Sequence, residues 1–312
     1  MIPLIIIEGP TAAGKSFLAI QIAEALETEI ISADSRQIYR YMNIGTAKPT
    51  KQERERIKHH LIDIVEPNEE YSAGQFSSDA DTILKQLNSE GKIPIICGGT
   101  GFYIKSLLEG LFAAPEIPEK IRTDLEELED SKGTDYLFQM LLNVDPNSAD
   151  RIHQNDSYRI KRALEVWIAT GKSLGEHWEN QEKIEKKYNT CRIMVTEDRQ
   201  ILYERINSRL EKMIQDGLIN EIKQILEAGY SEDDPGITSV GYREFIPFIK
   251  ENTSFLTCLE EAKKDTRNYA KRQLTWYRKV FFDMIIHITD YKVHDLLDRI
   301  KYFLESEDKA LS

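Results

Sequence analysis

A phosphate-binding loop is the most informative group of residues in this sequence. Residues 9–16 match the pattern G-x-x-x-x-G-K-S, follow the apolar run 4–7, and precede apolar side chains at helical spacing. In such a loop the backbone N–H groups and the helix N-terminus bind a diphosphate, Lys15 reaches the outer phosphate and the Ser16 hydroxyl can ligate Mg²⁺. The sequence therefore predicts a phosphorylated ligand with Mg²⁺ as cofactor, and the alternative is a chance glycine-rich turn. The candidate ligand-binding residues are Gly9, Pro10, Thr11, Ala12, Ala13, Gly14, Lys15 and Ser16.

An acidic residue at the end of another strand could act as a base. Enzymes that hydrolyse nucleotides on such a loop hold Mg²⁺ with an acid after a second apolar strand, but the run 93–97 is followed by glycines and Thr100. The acid here is Asp34, which follows the apolar run 29–33 and is a candidate general base. The segment 34–37 also fits a helix capping box, a role that a catalytic one need not exclude. Thr100 could cap the next helix or touch a phosphate.

A basic and aromatic segment near the C-terminus is the second candidate binding feature. On a helix, Ala270, Leu274, Tyr277 and Phe281 would form an apolar seam flanked by basic side chains. Guanidinium and ammonium groups beside aromatic rings suit single-stranded RNA, through phosphate contacts and base stacking. The alternative is an ordinary solvated amphipathic helix. Trp276 is interpreted as a core residue.

The charge distribution modifies what the composition suggests. A net charge of −12 argues against a nucleic-acid partner, yet basic residues gather in 36–58, 151–162 and 263–279. These clusters are compatible with a polyanion on one face, or they are solvated helix faces. His59 and His60 are interpreted as surface residues and not as metal ligands.

The cysteines and the apolar runs indicate where the protein works. Cys97, Cys191 and Cys258 are too far apart in sequence to suggest a disulfide framework or a thiolate metal site, so a reducing, cytoplasmic location is expected. The N-terminus has no basic leader, and its apolar run is too short to span a bilayer. We therefore expect no membrane partner.

Alternation of strand-like and helical patterns predicts an α/β fold, with a parallel sheet and helices on both faces. Ligands of such sheets gather at the carboxyl ends of the strands, where residues 9–16, Asp34 and Thr100 all fall. The strand-like runs are 4–7, 29–33, 61–65, 93–97, 192–195 and 282–288.

The central part of the chain predicts a helical insertion. Strand signals stop between residues 115 and 190, where the best helix runs from an Asp156 cap to Gly171. The core is then formed by residues 1–114 and 191–312. Within its second part, one long helix is expected over 200–228.

A series of short motifs, in order over nearly the whole chain, points to one family. They are G-P-T-A-A-G-K-S at 9–16, D-S-R-Q-I-Y at 34–39, N-I-G-T-A-K-P at 43–49, Y-S-A-G-Q-F at 71–76, G-G-T-G-F-Y at 98–103, R-A-L-E-V at 162–166, S-V-G-Y-R at 239–243 and K-R-Q-L-T-W at 271–276. They resemble those of the tRNA dimethylallyltransferases, also called isopentenyl-pyrophosphate transferases. The resemblance implies a P-loop NTPase-like core that transfers the dimethylallyl group of dimethylallyl diphosphate to N6 of adenosine 37, in tRNAs reading codons that begin with U. A Cys/His cluster like the zinc finger of eukaryotic relatives is absent from this sequence, so it resembles the bacterial form.

The resemblance also implies roles for particular residues. It places the diphosphate on 11–16 with Mg²⁺ near Ser16, assisted by Lys15, Thr100 and Arg209, and makes Asp34 the acceptor of the N6 proton. The positions that it implies face the anticodon stem-loop are Asp34, Ser35, Arg36, Gln37, Thr100, Arg122, Tyr158, Arg159, Ile160, Lys161, Arg162, Ile237, Thr238, Ser239, Val240, Gly241, Tyr242, Lys271, Arg272, Gln273, Leu274, Thr275, Trp276, Tyr277 and Arg278. We expect a monomer.

Three other functions share some of these features. A phosphate-loop kinase of small molecules would use ATP and transfer a phosphoryl group. A non-catalytic RNA-binding switch would use a bound nucleotide only as a signal, so Asp34 would be dispensable. Enzymes that prenylate free adenine nucleotides share the loop, and the basic segment 267–279 is the feature that argues against them.

Overall fold

Short apolar strands build one parallel sheet. The computed structural model describes residues 1–110, 117–179 and 186–309. The strands of this part of the chain form a six-stranded sheet in the order β3-β2-β4-β1-β5-β6, in which every pair is parallel. The predicted parallel α/β sheet is thus confirmed, and the carboxyl ends of its strands meet at one edge. The strands are β1 Ile2–Glu8, β2 Ile30–Ser32, β3 His59–His60, β4 Ile95–Gly98, β5 Tyr188–Thr196 and β6 Met284–His287.

Helices cover both faces of this sheet. Since successive residues of a strand point to opposite faces, Ile5 and Ile7 of β1 face one side and Leu4 and Ile6 the other, and all four are fully buried. The helices of residues 1–109 and 186–309 are α1 Lys15–Ala25, α2 Lys51–Arg56, α3 Ala73–Ser89, α4 Gly101–Glu109, α10 Arg199–Gln215, α11 Leu218–Glu227, α12 Ile246–Ile249, α13 Phe255–Tyr277 and α14 Val293–Lys309. The first side of the sheet packs against α1 and α14, whereas α3 contacts β1 and α4 on the second side.

A second apolar cluster joins the helices that follow the sheet to the loop after β2. Leu218 and Ile222 of α11 pack there with Met42, Tyr242 and Phe245, all of which are fully buried. The cluster fixes α10, α11 and α13 relative to residues 38–42, next to the carboxyl end of β2.

The chain divides into two compact units, one of residues 1–109 and 186–312 and the other of residues 110–185. The described part of the second unit is helical, with α5 Glu119–Lys132, α6 Thr134–Val144, α7 Pro146–Arg151, α8 Ser157–Thr170 and α9 Leu174–Glu179. Its core contains Leu125, Leu141 and Leu164. Helix α8 has the predicted ends, because the Asp156 carboxylate accepts a hydrogen bond from the Arg159 N–H and Gly171 ends the helix in the left-handed conformation.

Three predicted elements differ from the structure. The run 61–65 is not a strand, since Leu61 and Asp63 have positive φ angles and β3 consists only of His59–His60, whose side chains are half-buried and not surface residues as expected. Strand β5 begins at Tyr188, ahead of the predicted 191–192 boundary, because polar residues interrupt its apolar pattern. The helix expected over 200–228 is two helices, since Gly217 takes the left-handed conformation between α10 and α11.

Candidate active site

A cavity of about 340 Å³ opens at the carboxyl edge of the sheet. Its lining comes from the phosphate loop after β1, the turn after β2, the glycines after β4, and helices α10 and α13. The structure therefore brings together many residues that the sequence singled out. Those that line the cavity are Thr11, Ala12, Lys15, Ser16, Asp34, Arg36, Gln37, Arg209, Thr238, Ser239, Val240, Gly241, Tyr242, Arg272 and Gln273.

The phosphate loop turns sharply between β1 and α1. The Ala13 N–H donates to the Pro10 carbonyl, Ala12 has a φ of 64°, and α1 starts at Lys15 after Gly14. The Lys15 ammonium donates to the Pro10 carbonyl at 2.8 Å. Burial lowers the pKa of Lys15, and the nearby Asp34 carboxylate opposes that shift. The loop thus holds a cation against the cavity, as an anionic ligand requires.

Asp34 caps a turn and not a helix. Its Oδ1 accepts hydrogen bonds from the backbone N–H groups of Arg36, at 2.9 Å, and Gln37, at 3.4 Å. The Gln37 side chain does not reach back to Asp34, as a capping box would require, because its amide donates to the Thr46 and Ala47 carbonyls. These contacts hold the Asp34 carboxylate at the cavity through its own turn.

Arg209 supplies a second cation from α10. Within the described parts of the chain its guanidinium has neither an ion pair nor a hydrogen bond, although it lines the same cavity as Lys15 and Asp34. Burial lowers its pKa and the Asp34 carboxylate raises it. A half-buried guanidinium without a fixed partner is suited to an anionic ligand.

Thr100 lies beside the Asp34 turn and outside the cavity lining. Its Oγ1 accepts a hydrogen bond from the Ser35 N–H at 3.0 Å and lies 3.3 Å from the Ser35 hydroxyl. The hydroxyl therefore joins the β4 loop to the turn after β2, a contact that neither sequence interpretation of Thr100 anticipated.

Gln273 joins helix α13 to both glycine-containing loops. Its Oε1 accepts a hydrogen bond from the Thr11 N–H at 2.8 Å, and its Nε2 donates to the Gly99 carbonyl at 2.9 Å. One helical turn later, the Tyr277 hydroxyl donates to the carbonyls of Gly9 and Gly99. The motif at 271–276 thus holds the phosphate loop against the end of β4.

Comparison with known proteins agrees with this geometry. A family model described as IPP transferase matches residues 37–280, which is well over half of the chain. The chain belongs to the IPP transferase family. Among its relatives, the tRNA dimethylallyltransferase of Carboxydothermus hydrogenoformans is 45% identical over 88% of this chain and 89% of that protein. The tRNA dimethylallyltransferase of Thermoanaerobacter sp. (strain X514) is 42% identical over 96% and 97%.

Solved structures of the family share the fold. The full-length tRNA isopentenylpyrophosphate transferase of Bacillus halodurans matches with a TM-score of 0.75 and 33% identity, over 99% of each chain. A eukaryotic dimethylallyltransferase, described as acting on tRNA, matches with a TM-score of 0.77 and 32% identity, over 89% of this chain and 70% of that one. The α/β core is therefore an IPP transferase core.

The basic clusters of this IPP transferase differ in how many of their cations are paired. In 36–58, Arg54 pairs with Asp63 and Arg56 with Glu24, whereas Arg36 donates to a backbone carbonyl. The cations without an ion pair to a described residue concentrate at the end of α13. Four of them, Lys271, Arg272, Arg278 and Lys279, are exposed there, and the others in the three clusters are Arg36, Arg151 and Arg267.

Some positions expected to face tRNA have interior side chains. Ile160, Ile237, Ser239, Tyr242, Gln273 and Tyr277 are all less than 9% exposed, because they pack or hydrogen-bond within the protein. Ser239, Tyr242 and Gln273 nevertheless line the cavity, and contact of these six positions with RNA stays a prediction. Leu274 and Trp276 are half-buried, and Thr275 is exposed.

The seam predicted on the C-terminal helix is only partly correct. Ala270 and Tyr277 are buried, whereas Phe281 lies beyond the end of α13 and is 79% exposed. Trp276 is half-buried rather than core, with its indole against Gly101.

The insertion carries the remaining predicted RNA-facing residues. Arg122 is exposed on α5, and Tyr158 is 78% exposed on α8. The three basic residues of 158–162 have acidic partners, since Arg159 pairs with Asp156, Lys161 with Glu129 and Arg162 with Glu165.

One part of the cavity wall lies in the motif at 43–49, to which the sequence assigned no site role. Gly45, Thr46 and Ala47 line the cavity, and the buried Glu221 of α11 holds the segment that contains them. A sequence signal existed, because Glu221 occupies the apolar stripe of α11 with Leu218, Ile222 and Ile225. A carboxylate on such a stripe needs hydrogen-bond partners.

The donor set for Mg²⁺ is small. No group of three or more His, Cys, Asp or Glu side chains in the described ranges could hold a metal ion. Ser16 is exposed at the start of α1 and lines the cavity next to Lys15. These residues fit a Mg²⁺ ion that is coordinated mainly by phosphate oxygens of the ligand, with the Ser16 hydroxyl as its protein ligand.

Across the residues that the structure describes, we find no helix of sufficient length and apolarity to cross a membrane.

Proposed function

We propose that this chain transfers the dimethylallyl group of dimethylallyl diphosphate to N6 of adenosine 37 in tRNAs that read codons beginning with U, releasing diphosphate. The coarser part, dimethylallyl transfer to tRNA, follows from membership of the IPP transferase family. One observation carries the chemistry: a single cavity is lined by the phosphate loop, the Arg209 guanidinium and the Asp34 carboxylate.

The phosphate loop and its neighbours bind the donor in this proposal. The diphosphate lies on residues 11–16, where Lys15 and Arg209 offset the charge that grows on the leaving group. Loss of one such electrostatic partner typically slows a reaction by about 10²–10³. A bound Mg²⁺, held by Ser16 and the diphosphate oxygens, would supply further charge neutralisation.

Asp34 acts on the acceptor. An adenine amine is a weak nucleophile, because its lone pair is delocalised into the ring. As N6 attacks C1 of the allyl group, the Asp34 carboxylate accepts its proton, so that positive charge does not build up on the base. A general base contributes about 10²–10⁴ in rate. The base must leave the loop stack to enter the cavity.

The acceptor RNA lies on exposed cations. Lys271, Arg272 and Arg278 of the α13 end, together with Arg36 at the cavity, are exposed basic groups that have no acidic partner among the described residues. Phosphates of the anticodon stem-loop would contact them. The exposed residues Arg122 and Tyr158 of the insertion are the further contacts that we propose.

The setting of the reaction is also a proposal. We infer a monomer. We infer a cytoplasmic location, since Cys97, Cys191 and Cys258 are all free thiols in the structure, as in a reducing compartment.

Incubation with donor and RNA tests the proposal. The protein is mixed with labelled dimethylallyl diphosphate and unmodified tRNA, and nuclease digestion with mass spectrometry locates the label. We expect label on adenosine 37 of tRNAs that read U-initial codons. ATP consumption with phosphoryl transfer to a small molecule would instead support a kinase, and label on free adenine nucleotides would support the third alternative.

A further inference from the structure

The segment 43–47 forms a cavity wall whose backbone is held by a buried carboxylate. Glu221 Oε2 accepts hydrogen bonds from the N–H groups of Asn43 and Ile44, both at 2.9 Å. Its Oε1 accepts from the Ile44 N–H at 3.0 Å and from the Gly45 N–H at 3.3 Å. Three successive N–H groups that converge on one anion form a nest, and here the protein supplies the anion itself.

Tyr242 extends this arrangement on the same side. Its hydroxyl donates to Glu221 Oε1 at 2.7 Å, and its ring lies so close to Gly45 that an added Cβ would come within 2.3 Å of it. Burial raises the pKa of Tyr242, and the Glu221 charge raises it further, so the phenol remains a donor. Both Gly45 and Tyr242 line the cavity.

Gln37 holds the same segment from the other side. Its Nε2 donates to the carbonyls of Thr46 and Ala47, and the Ser32 hydroxyl lies 3.1 Å from its Oε1. The backbone N–H of Gln37 is one of the two that Asp34 accepts. A continuous set of hydrogen bonds therefore runs from Glu221 through segment 43–47 and Gln37 to the candidate base.

The charge of Glu221 is held without an ion pair. Its side chain is 8% exposed, and within the described ranges it pairs with no Lys, Arg or His. Its hydrogen-bond partners are all uncharged donors, and a substitution that removes an acceptor oxygen leaves part-buried N–H groups without their acceptor. The hydrogen bonds of the Glu221 carboxylate therefore serve to hold the backbone of segment 43–47.

We propose that Glu221 is a positioning residue for the transfer reaction, fixing segment 43–47 and through it the turn that carries Asp34. The inference rests on the proposed function. Glu221 itself does not line the cavity, and acts only through the wall that it holds. The phosphate loop is held separately by Gln273 and Tyr277, so the donor site does not depend on this wall.

The test compares two identical substitutions on one helix. Glu221→Gln keeps the shape of the side chain but turns one acceptor into a donor, and Glu227→Gln makes the same change on the exposed side of α11. For Glu221→Gln we expect kcat for dimethylallyl transfer to tRNA to fall by about 10- to 100-fold with an unchanged KM for the donor. The Glu227→Gln protein should match the wild type.

Hydrogen exchange tests the contact independently of activity. The amides of Asn43, Ile44 and Gly45 should exchange faster in Glu221→Gln than in the wild type, while those of α1 exchange at the same rate. Unchanged exchange at 43–45, unchanged kcat, or a loss seen only in the KM for the donor would each overturn the inference. If Glu221→Gln does not fold, Tyr242→Phe removes one bond to Oε1, and a kcat within twofold of the wild type would equally overturn it.

A double-mutant cycle separates positioning from general destabilisation. Gln37→Ala and Glu221→Gln release the same segment, so their combined loss in kcat should be clearly less than the product of the single losses. Fully multiplicative losses would show independent effects and contradict the inference. A wild-type protein that transfers no label to tRNA would instead refute the proposed function, which the hydrogen-exchange result does not depend on.

Discussion

The bridge made by Gln273 yields a quantitative prediction. Its carboxamide accepts from the Thr11 N–H and donates to the Gly99 carbonyl, and the side chain is 7% exposed. Gln273→Met preserves length and approximate volume while it removes both hydrogen bonds. Each such bond contributes about 0.5–1.5 kcal/mol net, so the change costs about 1–3 kcal/mol.

The cost should appear mainly in donor binding. Thr11 belongs to the phosphate loop and lines the cavity, whereas the Gly99 carbonyl keeps a contact with the Tyr277 hydroxyl. Without these hydrogen bonds the donor must itself order the loop when it binds, so it binds more weakly. A cost of about 1–3 kcal/mol corresponds to about a 5- to 150-fold change in the dissociation constant. We therefore expect the KM for dimethylallyl diphosphate to rise by about 5- to 150-fold.

Steady-state kinetics with labelled donor, at saturating tRNA, measures this effect. Gln86→Met on α3 is a matched control, because that glutamine is exposed and, among the described residues, its amide donates to Glu90 alone. Thermal unfolding of both variants reports on stability. A folded Gln273→Met protein with the wild-type KM for the donor would refute the reasoning.

Three further predictions concern the base, the basic helix and acid stability. Asp34→Asn should lower turnover by about 10²–10⁴ while filter binding shows unchanged affinity for tRNA, and wild-type turnover would remove Asp34 from its role. The double variant Lys271→Ala with Arg278→Ala should bind tRNA more weakly, with a slope of log K against log salt shallower by about 1.5; an unchanged slope would make this an ordinary solvated helix. Burial raises the pKa of Glu29, but hydrogen bonds from the Lys92, His60 and Lys58 side chains outweigh it and lower that pKa to about 2. Its ionised form therefore stabilises the fold above the ordinary pKa of 4.5 and less so as pH falls from there toward 2. Urea unfolding should find Glu29→Gln less stable than the wild type by about 1–3 kcal/mol at pH 7, with a gap that narrows below pH 4.5, and a gap independent of pH would contradict this assignment.

Local patterns in the sequence predicted the elements that depend on local physics. The β1–loop–α1 unit and the capped helix from Asp156 to Gly171 combine apolar period, cap and stop signals that agree with one another. The prediction of a strand over 61–65 is wrong, although the run is as apolar as a buried strand. Leu61 and Asp63 take left-handed backbone conformations, which an apolar pattern does not reveal. The break at Gly217 was missed for the related reason that a glycine is tolerated inside a helical pattern.

Two parts of the candidate site could be predicted from the sequence. The phosphate loop and Asp34 follow strands directly, so the parallel sheet alone brings them to one edge. Glu221 and Gln273 could not be placed in this way, because the backbone partners of Glu221 are 176–178 residues away and those of Gln273 are 174 and 262 residues away. Their position on buried helix faces signals that a partner exists but not which one.

The contact between Gly101 and Trp276 links two motifs that are far apart in the sequence. A Cβ on Gly101 would lie 2.1 Å from the indole nitrogen, and one on Gly99 would lie 2.4 Å from the Gln273 amide nitrogen. Neither glycine can gain a side chain unless the helix opposite gives up bulk or moves away. The two motifs therefore constrain each other's evolution, and in divergent relatives an enlarged residue at either glycine position should occur together with a smaller or displaced one at 273 or 276.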